Sequence, residues 1–499
     1  MSPTAKSSPW VVPLACLAWL ALSIGLYWRN YPHSPSILPM IPLGLLVLLL
    51  AVRHFEGFLV AMLFTVPFSV SITDMGGGFG AALPGEALLV LAGVGITMMI
   101  LRRQINPWPL IMHPIGIVIV LHLVWAFISM LNSSYTEISL KFLVSRSAYI
   151  LVYYIGFGTM FSDPSRRTVF FKAYLWGLVP VMIWAIFHLA QYGLSRSFSP
   201  VMAEPFYDDH TVFGACLAMI LPLAGWIALR DRLQMRTGGI NWAWPAFFLV
   251  VAALLLSFSR AAWIGILIIG GFYLLMRLRI RFRFLAFAMV IVAAGAWIGR
   301  DAIVERFQQN ENVSGADVFS TAASVTNVNT DDSNKERINR WSCAIRMYEQ
   351  RPWMGFGPGT YERNYGNFQV LSEITRISSW VGDRGDAHSE YLGVLSEQGI
   401  PGLIFLGGLF LVSLQVGMRV TYSTDDQRTK EISMAILMGL STYYFHGFVN
   451  DFIDIDKAAV LFWGMMALLA AMDLHAGKSM ATSGQRNGHD VQNPSVISD

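Results

Sequence analysis

Runs of apolar residues about 17 to 25 long, each enough to cross a bilayer as a helix, recur along almost the whole 499-residue chain between short polar stretches. The pattern gives about fourteen such runs, at 10–28, 37–52, 55–72, 85–101, 114–131, 138–160, 169–190, 210–229, 242–258, 261–277, 284–300, 400–418, 432–450 and 457–474. The run at 55–72 is short enough to be re-entrant. Only helices satisfy their backbone polar groups within such segments, so the expected fold is an all-α integral membrane protein with about 12–14 transmembrane helices. Residues 1–299 then supply the N-terminal transmembrane helices, 300–399 one large outer loop carrying short helices, 400–474 the C-terminal transmembrane helices, and 475–499 a disordered cytoplasmic tail.

Composition agrees: 55 % hydrophobic and 13 % charged residues are the proportions of a membrane protein. The basic residues fall in alternate loops, at Arg53, Arg102 and Arg103, Arg166 and Arg167, Arg230, Arg232 and Arg236, Arg277 to Arg283, and Arg419, Arg428 and Lys430. The opposite loops hold Asp74, Glu204, Asp208, Asp209, Asp451, Asp454 and Asp456. Short cytoplasmic loops collect Lys and Arg, so both termini are expected inside and the long loop outside. The net charge of +3 is therefore a topology signal and implies no nucleic-acid partner. The first apolar run lacks a small-residue cleavage site and reads as a retained helix. Cys16, Cys216 and Cys343 have neither disulfide-framework nor metal-ligand spacing.

Loops as long as 300–399 are functional or disordered. Its first half, Gln308 to Asp332, is poor in large apolar residues and reads as a mobile flap. In the second half, Ser333 and Glu336 form a capping-box pattern, and Trp341, Ile345 and Tyr348 follow at helical spacing beside Arg337 and Arg340. That helix should end before Pro352. The segment Arg351 to Tyr361 then reads as an irregular Gly/Pro loop with aromatic side chains on display. Tyr361 among them would suit a sugar ring, or the membrane surface equally well. The stretch Asp386 to Gly402 places His388 and Ser389 ahead of an amphipathic segment and a glycine-marked turn into membrane. Histidine titrates near neutrality, so His388 is a candidate general base; the bland account is a helix cap or a water ligand.

Charges inside apolar runs are unfavourable and face the protein interior. Arg146 is one, about 7 to 8 Å deeper than Lys141 along a helix, with Tyr149 and Tyr153 on the same face. Arg260, flanked by Ser259 and Trp263, stands at an outward turn. Two arginines there can clamp a diphosphate bidentately; structural pairing of Arg146 and snorkelling of Arg260 are the alternatives. Asp208, Asp209 and His210 could hold a divalent metal, but acids at the start of a helix are the better account. Asp209 and His210 stay as substrate-contact candidates, and no metal is expected. His446 and the acidic segment Phe448 to Lys457 read as a solvated outward loop.

These motifs together resemble the bacterial O-antigen ligase and Wzy-type polymerase superfamily of multi-pass glycosyltransferases. Its S-R-x-x-W pattern corresponds to Ser259, Arg260 and Trp263, and its His-Ser motif with a following glycine to His388, Ser389 and Gly399. The Gly355 to Gly359 segment looks like its lead-in to the histidine, and Ser139 to Arg146 is similar to its basic helix. Members are usually described with twelve spans, fewer than the fourteen read here. The resemblance implies a GT-C-like fold in the bacterial inner membrane with the long loop in the periplasm. It also implies transfer of a glycan from a polyprenyl-diphosphate donor to a lipid, glycan or protein acceptor, inverting and without cofactor or metal. Arg146 and Arg260 would take the diphosphate, Lys141 would support them, and His388 would deprotonate or orient the acceptor hydroxyl. Ser259, Trp263, Arg337, Arg340, Ser389 and Tyr361 remain as substrate contacts, among membrane lipids. A polymerase joining lipid-linked units shares this chemistry. A lipid-linked sugar transporter would also carry buried charge, but no repeat relates the two halves; a scaffold without catalysis would leave the clustered Arg and His unexplained.

Overall fold

The computed structural model describes residues 54–72, 81–234, 241–299, 332–374, 378 and 385–490. The expected runs at 10–28 and 37–52, and the flap as far as residue 331, lie outside the described residues. Among the described residues the fold is helical throughout except for one two-stranded hairpin, and seven helices are long and apolar enough to cross a membrane.

The chain enters through α1 (Phe55–Thr65), which ends in a turn over Val66–Phe68 and the antiparallel pair β1 (Val70–Ile72) and β2 (Ala81–Leu83). The run at 55–72 is thus only partly helical: Pro67 removes a helix donor, and β-branched Val70 and Ile72 favour the strand. Then come α2 (Gly85–Leu101), α3 (Pro114–Leu131) and α4 (Thr136–Tyr149). A π-helical stretch (Ile150–Gly156) continues α4 into Phe157–Met160. Next follow α5 (Arg167–Gln191), α6 (His210–Gln234), α7 (Ala243–Leu256), α8 (Arg260–Arg277) and α9 (Phe282–Ile298). Beyond the gap lie α10 (Asp332–Gln350), α11 (Glu390–Ser423), α12 (Gln427–His446) and α13 (Asp456–Asp490).

The centre of the bundle is α13, where every residue from Ala458 to Met472 is buried. A helix apolar on all sides belongs in such a position, whereas α8 leaves Leu267 and Leu274 exposed, as a lipid-facing helix does. Lipid tails are as apolar as leucine, so these helices hold together by close packing; at Gly439 of α12 an added Cβ would stand 2.5 Å from the Met219 carbonyl of α6. The polar tail does not leave the helix at residue 475, since α13 runs on to Asp490. Extending a helix already nucleated by a packed segment avoids the nucleation penalty.

α11 is two helices joined at Gly399, whose φ of 69° and ψ of −168° interrupt the spiral. Residues 390–398 form an outer segment and 400–423 the long membrane segment. The loop from Pro352 to Tyr361 clasps this break: Ile400 N donates to the Pro352 carbonyl at 2.9 Å and Gly357 N to the Glu397 carbonyl at 2.8 Å. From α3, Ser129 Oγ donates to the Met354 carbonyl at 2.7 Å and Trp125 Nε1 to the Gln398 carbonyl at 2.8 Å. A Cβ at position 399 would lie 2.2 Å from the Trp353 carbonyl oxygen, in a left-handed conformation that side chains resist. Gly399→Ala is therefore expected to cost about 1–2 kcal/mol for the left-handed conformation alone, to open the clasp, and to lower both the thermal midpoint in detergent and any activity dependent on His388. An unchanged midpoint would mean the break is not under this constraint.

Candidate active site

His388 sits immediately before the outer segment of α11, where Ser389 is the N-cap, its Oγ accepting from Leu392 N at 3.4 Å. The backbone at His388 has φ 46°, a left-handed conformation that needs local support in a non-glycine residue. Asp386 gives it, accepting from His388 N at 3.0 Å in an Asx turn. The same carboxylate oxygen lies 2.8 Å from His388 Nδ1. On the other side of the ring, Arg340 Nη1 is 3.3 Å from Nε2, and it also donates to the Asp386 carbonyl at 3.1 Å. Trp341 Nε1 donates to the His388 carbonyl at 3.2 Å. A guanidinium only donates, so the Arg340 contact assigns the lone pair to Nε2 and the proton to Nδ1, which lies close to Asp386 without an aligned hydrogen bond to it. Burial would raise the Asp386 carboxyl, but His388 and Arg340 hold it below the usual carboxylate range. An ionised carboxylate behind an imidazole orients the ring and stabilises it when it takes a proton.

Arg340 is in turn held by the loop. Its Nε donates to Glu336 Oε1 at 3.0 Å, and its carbonyl accepts from the Tyr361 hydroxyl at 2.7 Å. Tyr361 is buried and stacks on Tyr365 at 5.4 Å, so its hydroxyl positions Arg340 and offers no face to a sugar. Of the aromatic residues expected on display from Arg351 to Tyr361, Phe356 and Tyr361 are in the loop's own core while Trp353 is 64 % exposed. Glu397 accounts for the inward fold, accepting from Gly359 N and Tyr361 N at 2.8 Å each. The helix expected over this stretch is present as α10. Asn339, Arg340, Cys343, Ala344 and Met347 face inward, while Trp341, Ile345 and Tyr348 are half-buried. Glu336 accepts from Arg340 and Ser378. Burial is the main reason the Cys343 thiol is pushed up to about 12, which leaves it inert.

Below His388 lies a second charged tier. Arg146 is buried, as are Tyr149 and Tyr153 on the same face. Its guanidinium is gripped bidentately by Asp454, with Nε to Oδ1 at 2.7 Å and Nη2 on Oδ2. Glu390 accepts from Phe452 N at 2.9 Å and Ile453 N at 2.7 Å, and from the Tyr443 hydroxyl. Burial first, and then the Glu390, Asp386 and Asp454 carboxylates, push the Asp451 carboxyl well above its ordinary range. The segment Phe448 to Lys457 is therefore no solvated loop: Asn450, Phe452, Ile453, Asp456 and Lys457 are buried, drawn in by Glu390 and Arg146. Arg146, expected to grip a diphosphate, is already paired and anchors this segment under His388.

The remaining candidates gather at the same end of the bundle. Ser259 caps α8, accepting from Ala262 N at 3.4 Å, and Trp263 Nε1 donates to the Leu254 carbonyl of α7 at 3.1 Å. Both are structural and together present Arg260 at the head of α8. Gly265 of α8 lies against Thr442 of α12, which sets Arg260 level with the His446 end. There the Gly447 carbonyl accepts from Ser389 Oγ at 3.3 Å and Glu390 N at 2.9 Å. Arg337 and Asp209 both act electrostatically on buried His446. Asp209 accepts from Thr211 N at 2.8 Å and Thr211 Oγ1 at 2.6 Å, and lies 2.9 Å from His210 Nδ1. Against the burial that would raise it, those partners hold its carboxyl well below the usual range. Asp209 thus acts at the start of α6 as the helix-terminus account expects. Lys141 is exposed, away from the Arg146 face.

Residues 245–407 match the family model described as O-antigen ligase. That segment is similar to the O-antigen ligase family. No curated protein matches the chain. The ligase-family segment opens in α7 and closes just beyond Gly399, so it includes Ser259, Arg260, Trp263, Arg340, Asp386 and His388. Arg146, Asp209, Asp451 and Asp454 lie outside it. Two pairings escaped the reading of the sequence, that of Asp386 with His388 and that of Arg146 with Asp454. Asp386 was visible two residues away, in the spacing of an Asx turn. The pairing of Arg146 with Asp454 crosses 308 positions and left no local signal.

Proposed function

We propose that this multi-pass membrane protein transfers a glycan from a polyprenyl diphosphate to an acceptor hydroxyl, as an O-antigen ligase-like glycosyltransferase with its His388 end toward the periplasm. The observation that carries this reading is the Asp386–His388–Arg340 arrangement within the ligase-family segment. The acceptor hydroxyl approaches Nε2, displacing Arg340 from the lone pair, and His388 takes its proton as general base. The freed oxygen forms a bond to the anomeric carbon from the face opposite the diphosphate. The carbon–oxygen bond to the diphosphate breaks, and the leaving group departs with the electron pair, which inverts the centre. Arg260 faces the charge that develops on the diphosphate, and Arg340 Nη1, displaced from Nε2, turns toward it. Arg146 acts through Asp454, holding the floor of the site.

Reconstituted membranes supplied with a polyprenyl-diphosphate glycan and candidate acceptors test this directly. The expected product is a single glycan block on the acceptor, formed equally with and without chelator and reduced about 100-fold by Arg260→Ala. A ladder of repeat units would replace the ligase reading with a polymerase one. Donor crossing the bilayer with no new glycosidic bond would replace both with transport.

A further inference from the structure

At the end of the bundle opposite His388, the starts of α5 and α12 meet and their first turns exchange side chains. Arg167 Nη1 donates to Thr429 Oγ1 at 3.0 Å, and Arg428 Nη2 donates to Thr168 Oγ1 at 3.2 Å. Arg167 is only 2 % exposed, yet its Nε and Nη2 have no hydrogen-bond partner. Buried donors are almost always satisfied, and a buried guanidinium without a paired anion is strongly unfavourable.

The local carboxylates are committed elsewhere. Asp426 caps α12, accepting from Arg428 N at 3.2 Å, Thr429 N at 3.0 Å and Thr429 Oγ1 at 2.5 Å. Asp163 accepts from Ser165 N at 2.9 Å and Ser165 Oγ at 2.8 Å, while Glu56 pairs with Arg166. Asp426 and Asp163 attract Arg167 only from beyond ion-pair distance. The N-cap of α5 is Arg166, which gives no side-chain hydrogen bond to the first turn, so the positive end of that helix dipole meets more positive charge.

We propose that Arg167 and Arg428, with the Thr168 and Thr429 hydroxyls between them, bind a phosphate group. That group is common to an anionic phospholipid head and to free inorganic phosphate. Arg428 is exposed while Arg167 Nε and Nη2 are enclosed, so a headgroup meets Arg428 at the surface and reaches Arg167 when the Arg428 side chain moves aside. A phosphate accepts several charge-assisted hydrogen bonds at once, which matches two guanidinium groups meeting at a helix start.

The test uses full-length protein in phosphate-free maltoside micelles at fixed ionic strength. One arm adds phosphatidylglycerol, a second adds inorganic phosphate and a third adds uncharged diacylglycerol, with thermal midpoint and lipid retained in native mass spectrometry as readouts. Phosphatidylglycerol should raise the midpoint of wild type by a few degrees and remain bound, and diacylglycerol should do neither. The shift should vanish in Arg167→Gln and fall by at least half in Arg428→Gln. It should persist in Arg277→Gln, which removes the same charge from an exposed position of α8. An equal, arginine-dependent shift with inorganic phosphate alone supports the site with a free anion as its occupant. No shift in wild type, or one that survives in both Arg167→Gln and Arg428→Gln, overturns the proposal. Should Arg167→Gln fail to fold, Arg428→Gln against Arg277→Gln decides.

Discussion

His388→Ala should slow glycan transfer by about 10²–10⁴-fold while the protein remains folded. The imidazole is held on both faces, by Asp386 and by Arg340, yet its side chain is 29 % exposed, so its removal opens no core cavity. Asp386→Asn should come close to the same loss, because an amide cannot stabilise the imidazolium that forms during proton transfer; in a comparable carboxylate–imidazole pair that change costs about 10⁴-fold. The two variants together should lose little more than either alone, since they disable one unit. The pH dependence has a definite sign. The Asp386 carboxyl is held below its ordinary range by His388 and Arg340, against burial. Its contribution to stability is therefore present above the unfolded carboxylate pKa and is lost only as pH falls through the lowered folded value. Mild acid should leave the Asp386 carboxylate in place. Initial rates in proteoliposomes at several pH values decide the matter: more than a tenth of wild-type activity in His388→Ala would remove it as the base.

Asp454→Asn should destabilise the protein by about 2–3 kcal/mol, read as a lowered thermal midpoint in detergent. Arg146 is 4 % exposed and Asp454 35 %, so the variant leaves a buried guanidinium without its bidentate partner. The figure is set below that for a fully buried pair because water reaches part of Asp454. Replacing both residues by apolar ones, in Arg146→Met with Asp454→Leu, should be less harmful to stability than Asp454→Asn alone. Activity gives an independent reading. If Arg146 anchors the floor of the site, Asp454→Asn lowers both stability and rate; a variant that instead bound donor more tightly would show Arg146 to be a diphosphate ligand masked by Asp454.

Residues whose role depends on local chemistry were legible before the structure. The apolar run at 114–131 coincides with α3, because length and hydropathy alone define a spanning helix, and the run at 85–101 coincides with the shorter apolar helix α2. The turn at Gly399 could be read from its position between an amphipathic and an apolar segment. Asp209 could be read as an acid at a helix start. What escaped depends on partners far apart in the chain. Arg146 was visible as a charge the membrane disfavours, but its counter-charge lay in a segment whose acids look solvated by composition. Glu397 was an ordinary acid of an amphipathic segment until the glycine loop folded over it. The helical spacing of Trp341, Ile345 and Tyr348 located α10 but did not show that Ala344 and Met347 line its buried side. Arg340 takes an inward position only because Glu336, Asp386 and His388 lie there to receive it.

The break in α11 has a mechanical consequence. From Gly399 back to Ser389 the outer segment is a rigid rod about 15 Å long at 1.5 Å per residue, with the histidine at its tip. A tilt of about 10° at the break would carry that tip roughly 2.6 Å along its arc, for a rod of this rise, nearly the length of a hydrogen bond. The Pro352 to Tyr361 clasp is the brace that holds this lever at one angle, so the reach of Nε2 toward an acceptor is set 15 Å away, about ten residues of helix down the rod, by backbone contacts that touch no substrate.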